Sequence, residues 1–188
     1  LHNGVDSELF DENIEKNIND IIFVGNLLRF NKKRDIEFLI NSFKDTRLSK
    51  KYNLKIVGGP ENERMRLGEH IEKNNLENKV KAIGELGRKD TIIEIQKSEI
   101  GLLINTSDNL HSTHYTSPLK YFEYLYGGLK IVAVDFPAHR NLPFSDNITY
   151  FNENNLEEFI KSLEKASYKQ KIEKDKLKDI TLDSRVKR

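Results

Sequence analysis

The sequence predicts a doubly wound α/β domain: a parallel sheet of about six strands with helices on both faces. Its strand candidates are short, continuous apolar runs without polar alternation, as expected of strands buried on both sides. They alternate with amphipathic helical stretches along the whole chain, and three successive runs close in glycine. Such sheets bind ligands outside the carboxyl ends of their strands, where the strand order reverses.

The first run is IIFVG (21–25), followed by a helix in which Ile36, Leu39, Ile40 and Phe43 fall on one stripe. LKIVGG (54–59) leads into a charged helix from about Glu61 to Asn74, and KVKAIG (79–84) into a helical stretch near 89–98. EIGLLIN (99–105) precedes HYTSPLKYFEYLYGG (114–128), a capped helix with Leu119, Phe122 and Tyr126 expected as its buried stripe. KIVAV (130–134), ITYF (148–151) and a helix carrying Leu156, Phe159, Ile160 and Leu163 complete the pattern. Residues 1–18 read as a linker and lead-in, and the charged tail 168–188 as peripheral helices outside the core, so that 1–188 forms a single domain.

Composition narrows the function. The chain of 188 residues has no cysteine, which removes disulfides and thiolate metal sites and suits a reducing compartment such as the cytoplasm. No apolar run reaches the roughly 18 residues of a spanning helix. A net charge of +1 gives no overall footprint for nucleic acid or acidic lipid, although 32% of residues are charged. Neither a Gly-x-Gly-x-x-Gly nor a P-loop pattern occurs.

Thr116-Ser117-Pro118 provides an N-cap followed by a favoured first helical residue, so the unpaired N–H groups of that helix could hold an anion. The same residues also read as an ordinary cap. Glu123, one turn further on, leans back toward the helix start, where it could accept hydrogen bonds from both hydroxyls of a ribose. The competing reading is a surface ion pair with Lys120 at i, i+3. In RFNKKR (29–34), Lys32, Lys33 or Arg34 could neutralise a diphosphate, or the stretch could be a solvated basic turn. Asp135, after the fifth strand, could cap the next turn. His111 and His114, three apart without nearby acids, make a poor metal pair.

Together these residues resemble the C-terminal nucleotide-sugar-binding domain of a GT-B glycosyltransferase of the retaining family 4 type, a Rossmann-like fold. HNGVDSELF (2–10) resembles the family's Asn-Gly-Val-Asp segment, and FVGNLLRFNKKRDIEFLINSF its first strand, glycine loop and basic residue. LKIVGGP and VKAIGEL resemble its second and third units, SPLKYFEYLYGGLKIVAVDFPAHR its Ser-Pro-x-Lys-x-x-Glu-Tyr-x-x-x-Gly block, and LDSRVKR its closing helix.

The resemblance implies a ribose contact at Glu123 and a diphosphate cradle at Thr116, Ser117, Pro118, Leu119 and Lys120. It places the glycine loop at Gly25 and Asn26, with Gly58 and Gly59 beside it, and a catalytic phosphate-binding lysine at Lys32 or Lys33. Ile83, Gly84, Glu85 and Leu86 would border the base. The implied donor is a UDP-sugar or GDP-sugar, with no metal and no other cofactor, used in polysaccharide or glycoconjugate synthesis. Its partner would be the protein's own N-terminal acceptor domain, so this chain alone would bind nucleotide without transferring sugar. No nucleic-acid partner is implied, and membrane contact would be peripheral, at the inner face, through the other half.

Two positions depart from the pattern. Tyr115 stands where many members carry a second glutamate, which leaves the sugar contact open, and Lys130 replaces a proline before the fifth strand. The alternatives are a flavodoxin-like or receiver-like binding domain and half of a sugar-nucleotide epimerase. The receiver reading lacks its acidic pair after the first strand and its aspartate at Ile83-Gly84.

Overall fold

The computed structural model describes residues 4–29, 32–108, 110–115 and 119–181. After a 3₁₀ turn at Ser7–Leu9, strand β1 (Asn17–Val24) is followed by a small antiparallel hairpin, β2 (Leu28–Arg29) and β3 (Lys32–Lys33). Helices α1 (Ile36–Ser42) and α2 (Thr46–Ser49) lead to β4 (Asn53–Val57), α3 (Glu61–Lys73) and β5 (Val80–Gly84). Then come α4 (Arg88–Gln96), β6 (Ser98–Leu103), α5 (Leu110–His114), α6 (Leu119–Tyr126) and β7 (Lys130–Val134). The chain closes with α7 (Pro137–Arg140), a 3₁₀ turn at Ser145–Asn147, β8 (Ile148–Phe151), α8 (Leu156–Tyr168) and a 3₁₀ segment, Lys174–Ile180.

Six parallel strands form one sheet in the order β5-β4-β1-β6-β7-β8. Counted along the chain this is 3-2-1-4-5-6, the Rossmann order, and not the 2-1-3-4-5 of flavodoxin-like domains. The flavodoxin-like and receiver-like alternative is thereby set aside. The order reverses between β1 and β6, so the ligand crevice of this fold lies at the carboxyl ends of those two strands.

Strand periodicity divides the core in two. Ile21 and Phe23 of β1 face a layer built with Ile36, Leu39, Leu67 and Phe159 of α1, α3 and α8. Ile22 and Val24 face the opposite layer, with Ile92, Ile95, Tyr121 and Leu125 of α4 and α6. β6 is buried along its whole length, as the apolar run in the sequence requires.

Several elements differ from expectation. Helix α1 ends at Ser42, and Phe43 packs as its C-cap residue. The basic stretch after β1 forms a hairpin in place of an irregular turn. In α6 the buried residues are Tyr121, Phe122, Glu123, Tyr124 and Leu125, whereas Leu119 and Tyr126 are half-buried. The narrow stripe of an outer helix does not apply, because α6 packs against α4, β6, β7 and the Lys174–Ile180 segment together.

The tail is likewise not wholly peripheral. Leu177 (0% exposed) and Ile180 enter the core layer beneath α6. The Val5 N–H donates to the Ile180 carbonyl at 2.8 Å, tying the lead-in to the tail. Two apolar residues among lysines anchor the segment, since the charged neighbours keep their heads in solvent. Residues 182–188, which resemble a closing helix, lie outside the described residues.

Leu177→Ala is therefore expected to cost about 2–4 kcal/mol in urea denaturation, the range for emptying a buried leucine site. A loss below about 0.5 kcal/mol, the size of a surface change, would return the tail to a peripheral role.

Candidate functional site

At the crevice the backbones of three strands converge. Gly25 N–H donates to Val57 O at 3.0 Å, Leu27 N–H to Gly59 O at 2.7 Å, and Gly58 N–H to Gly84 O at 2.8 Å. A Cβ on Gly58 would stand 1.8 Å from the Gly25 carbonyl oxygen, so this approach admits only glycine. The glycines read as turn formers thus also bring the ends of β1, β4 and β5 together.

Across the switch point, α6 is fixed to β1 by Tyr124. Its ring lies on Gly101 of β6, where a Cβ would come within 2.5 Å, and its fully buried hydroxyl accepts the Val24 N–H at 2.9 Å. Burial pushes the Tyr124 hydroxyl well above its ordinary pKa, so it remains a neutral O–H group.

That placement sets the polar residues of α6. Glu123 is 1% exposed, and the Lys120 ammonium donates to its Oε2 at 2.7 Å. Arg88, the first residue of α4, brings Nη1 to 4.0 Å from Oε1, which accepts no hydrogen bond among the described residues. The ion pair with Lys120 therefore forms, but the carboxylate is buried and half-satisfied, unlike the surface pair weighed from sequence.

Two depressions of about 220 Å³ each open here and share Val24, Gly25 and Lys120. Neither reaches the roughly 300–1,000 Å³ of a typical small-molecule site, so a ligand of that class would span both. One extends past β4 and β5, where Asn26, Gly58, Gly59, Glu85 and Leu86 line it. The other extends past β6 and β7, along Arg34, Asn105, Leu119 and His139.

Ile83 and Gly84 belong to β5 behind this wall. Asn26 is exposed, and its Oδ1 accepts the Leu28 N–H at 2.9 Å, which shapes the loop entering the hairpin. Lys33 is exposed on β3 and does not line the crevice, whereas Arg34 does. The Arg34 guanidinium reaches the Ile104 carbonyl at 3.5 Å and stands 5.8 Å from the centre of the Phe23 ring. The Lys32 side chain and Thr116, Ser117 and Pro118 lie outside the described residues.

Elsewhere, Asp135 pairs with Arg140 at 2.6 Å, and Lys130 bonds Glu99 at 3.1 Å. Tyr115 is 73% exposed. Among the described residues no three His, Asp or Glu side chains group as a metal set, and no helix is long and apolar enough to cross a membrane.

Sequence reading missed Gly101, Tyr124, Arg88, Asn105 and His139. Gly101 carried a usable signal, since a glycine inside a buried strand marks a close approach. His139 follows a strand end, where ligand residues collect. Its Nδ1 lies 2.7 Å from the Val134 carbonyl, which can only accept, so that nitrogen carries a proton. Tyr124 is the tyrosine of the Ser-Pro-x-Lys-x-x-Glu-Tyr-x-x-x-Gly block, but its contacts with Val24 and Gly101 are distant in sequence, and Arg88 had no comparable signal.

Fold and crevice together define a Rossmann-like α/β domain with a charged ligand cleft at its switch point. The chain belongs to the group 1 glycosyl transferases, whose family model matches residues 5–179.

Solved structures share the fold. Sucrose-phosphate synthase from Thermosynechococcus elongatus is 14% identical (TM-score 0.64), with 87% of this chain and 41% of that one covered. Anabaena HepE, solved in complex with UDP and glucose, is 14% identical (TM-score 0.63), with coverage of 88% and 46%. The C-terminal domain of the group 1 family protein LpcC from Francisella tularensis is 13% identical (TM-score 0.59), with coverage of 88% and 92%. The chain thus spans less than half the length of the first two and nearly all of the isolated C-terminal domain. No curated protein sequence matches it significantly.

Gly101→Ala should destabilise the domain by about 1–3 kcal/mol by driving a methyl into the Tyr124 ring. Tyr124→Phe should speed amide exchange at Val24, whose N–H would lose its partner. Parent-like stability of Gly101→Ala in denaturant titration would contradict this packing.

Proposed function

We propose that this domain binds a nucleoside diphosphate sugar across the two joined depressions, as the donor half of a retaining glycosyltransferase of the family 4 type. The observation that carries the reading is Glu123: a buried carboxylate whose Oε1 lacks a hydrogen bond, beside a lysine shared by both depressions. Leaving such an oxygen unsatisfied is costly, and a ribose hydroxyl is a donor of the right kind to meet it.

In this reading the diphosphate lies at the shared wall of Gly25 and Lys120, near the start of α6. Positive charge comes from Lys120 and Arg34 with backbone N–H groups, and no metal is invoked. As the sugar–phosphate bond breaks, negative charge grows on the departing diphosphate, and cations held in place stabilise it without reorganising. Arg34 takes the part expected of Lys33, because it lines the crevice while the Lys33 side chain faces solvent.

The retaining outcome and a glycan or lipid-linked acceptor rest on the resemblance of the 117–128 block. They belong to the full-length protein, in which an N-terminal domain would bring the acceptor. Residues 1–188 alone are then expected to bind donor without transferring sugar, and turnover by this chain with any donor and acceptor would contradict that division.

Glu123→Ala should weaken nucleoside diphosphate binding by about 1.5–3 kcal/mol in isothermal titration, the scale of lost charge-assisted hydrogen bonds. Circular dichroism would confirm that the variant folds. A change below about 0.5 kcal/mol would reduce Glu123 to a structural partner of Lys120.

A further inference from the structure

The end of the crevice beyond the ribose site carries a carboxylate without a partner. Glu85 follows β5 and lies flat against Gly59: a Cβ on Gly59 would come within 2.5 Å of the Glu85 Oε1 and 2.7 Å of its Cγ. Its position thus depends on the absence of a side chain at Gly59, and both residues line the same depression. No hydrogen bond or ion pair reaches the Glu85 carboxylate among the described residues. Nearby cations are engaged elsewhere, Arg88 and Lys120 with Glu123 and Arg64 with Glu61.

Glu85 is exposed at the rim of the depression, and an acidic group is unfavourable beside a diphosphate, so where it meets the ligand it meets another part. Resting on the proposed donor site, the order of groups follows from the fold. Lys120 and Gly25 mark the diphosphate, and Glu123 turns its open oxygen toward Arg88, at the start of the helix that follows β5. Ribose therefore lies on the β5 side of Lys120, and the base lies beyond it, among Gly59, Glu85 and the half-buried Leu86.

We infer that Glu85 selects guanine, so that the donor is a GDP-sugar. A carboxylate offers two acceptor oxygens side by side. Guanine presents two adjacent donors, N1–H and the 2-amino group, that match them. Uracil and thymine present a single N–H between two carbonyls, which face the carboxylate with like partial charge. Adenine pairs its amino group with a ring acceptor. Leu86 supplies an apolar surface for any of these bases, so it does not discriminate.

The test is isothermal titration of the 188-residue chain with GDP, UDP, ADP and dTDP, repeated on Glu85→Gln. GDP should bind at least about tenfold more tightly than the others, the worth of one hydrogen bond to a charged group. Glu85→Gln should cut that preference by about fivefold or more, weakening GDP binding while leaving thermal stability unchanged. UDP binding as tightly as GDP, or an unchanged preference in Glu85→Gln, would overturn the guanine assignment alone. If the folded protein binds none of the four, the donor-site reading fails and this inference with it.

Discussion

The cleft depends on where α6 lies, and α6 lies where the Tyr124 hydroxyl can take the Val24 N–H at 2.9 Å. Val24 ends β1, where the chain leaves its neighbour β6, so its N–H would otherwise be buried without a partner at the switch point. The tyrosine reaches it only because Gly101 leaves room for the ring on the sheet. Once this contact is made, Lys120 overhangs the crevice and Glu123 sinks beneath it. The contact of Gly58 with Gly25 does the same on the other side, drawing β1, β4 and β5 into a wall made of backbone.

The lysine-rich composition serves different purposes at the two ends of the sheet. At the carboxyl end Lys120 and Arg34 border a cleft, Lys120 paired with Glu123 and Arg34 reaching the Ile104 carbonyl. At the amino end, lysines satisfy carbonyls where helices and strands begin and end. Lys16 donates to Gln96 O and Ser98 O, Lys130 to Ser167 O, and Lys169 to Ile148 O. Burial, with Lys171 adding to it, pushes the Lys16 ammonium down to about 8. The contacts to Gln96 O and Ser167 O pair cations with the negative ends of α4 and α8, a structural use. Charge count alone could not separate the two populations, which is why a net charge near zero was uninformative about the site.

Much of the fold was legible in the sequence. Runs such as KIVAV and ITYF coincide with β7 and β8, because a buried parallel strand leaves an unbroken apolar signature. The site was legible where backbone makes it, at Gly25, Gly58 and Gly59, since a glycine at a strand end is a local signal. It was less legible where side chains from distant elements meet. Whether Lys33 or Arg34 enters the crevice depends on the hairpin that follows β1, and its two-residue strands leave no periodicity to read. The packing of α6 was hidden as well: Leu177 and Ile180 join the core layer against it from a lysine-dense segment.

The central claim is that a nucleoside diphosphate spans both depressions at the carboxyl end of the sheet. Backbone amide shifts recorded while GDP or UDP is titrated into the ¹⁵N-labelled protein test it most directly. The account predicts shifts at Gly58, Gly59, Glu85 and Leu86 in one depression, at Arg34, Asn105 and Leu119 in the other and at Gly25 and Lys120 between them, with Asn17, Lys79 and Lys130 at the amino end unmoved. Shifts clustered at the amino end, or confined to one depression, would contradict it.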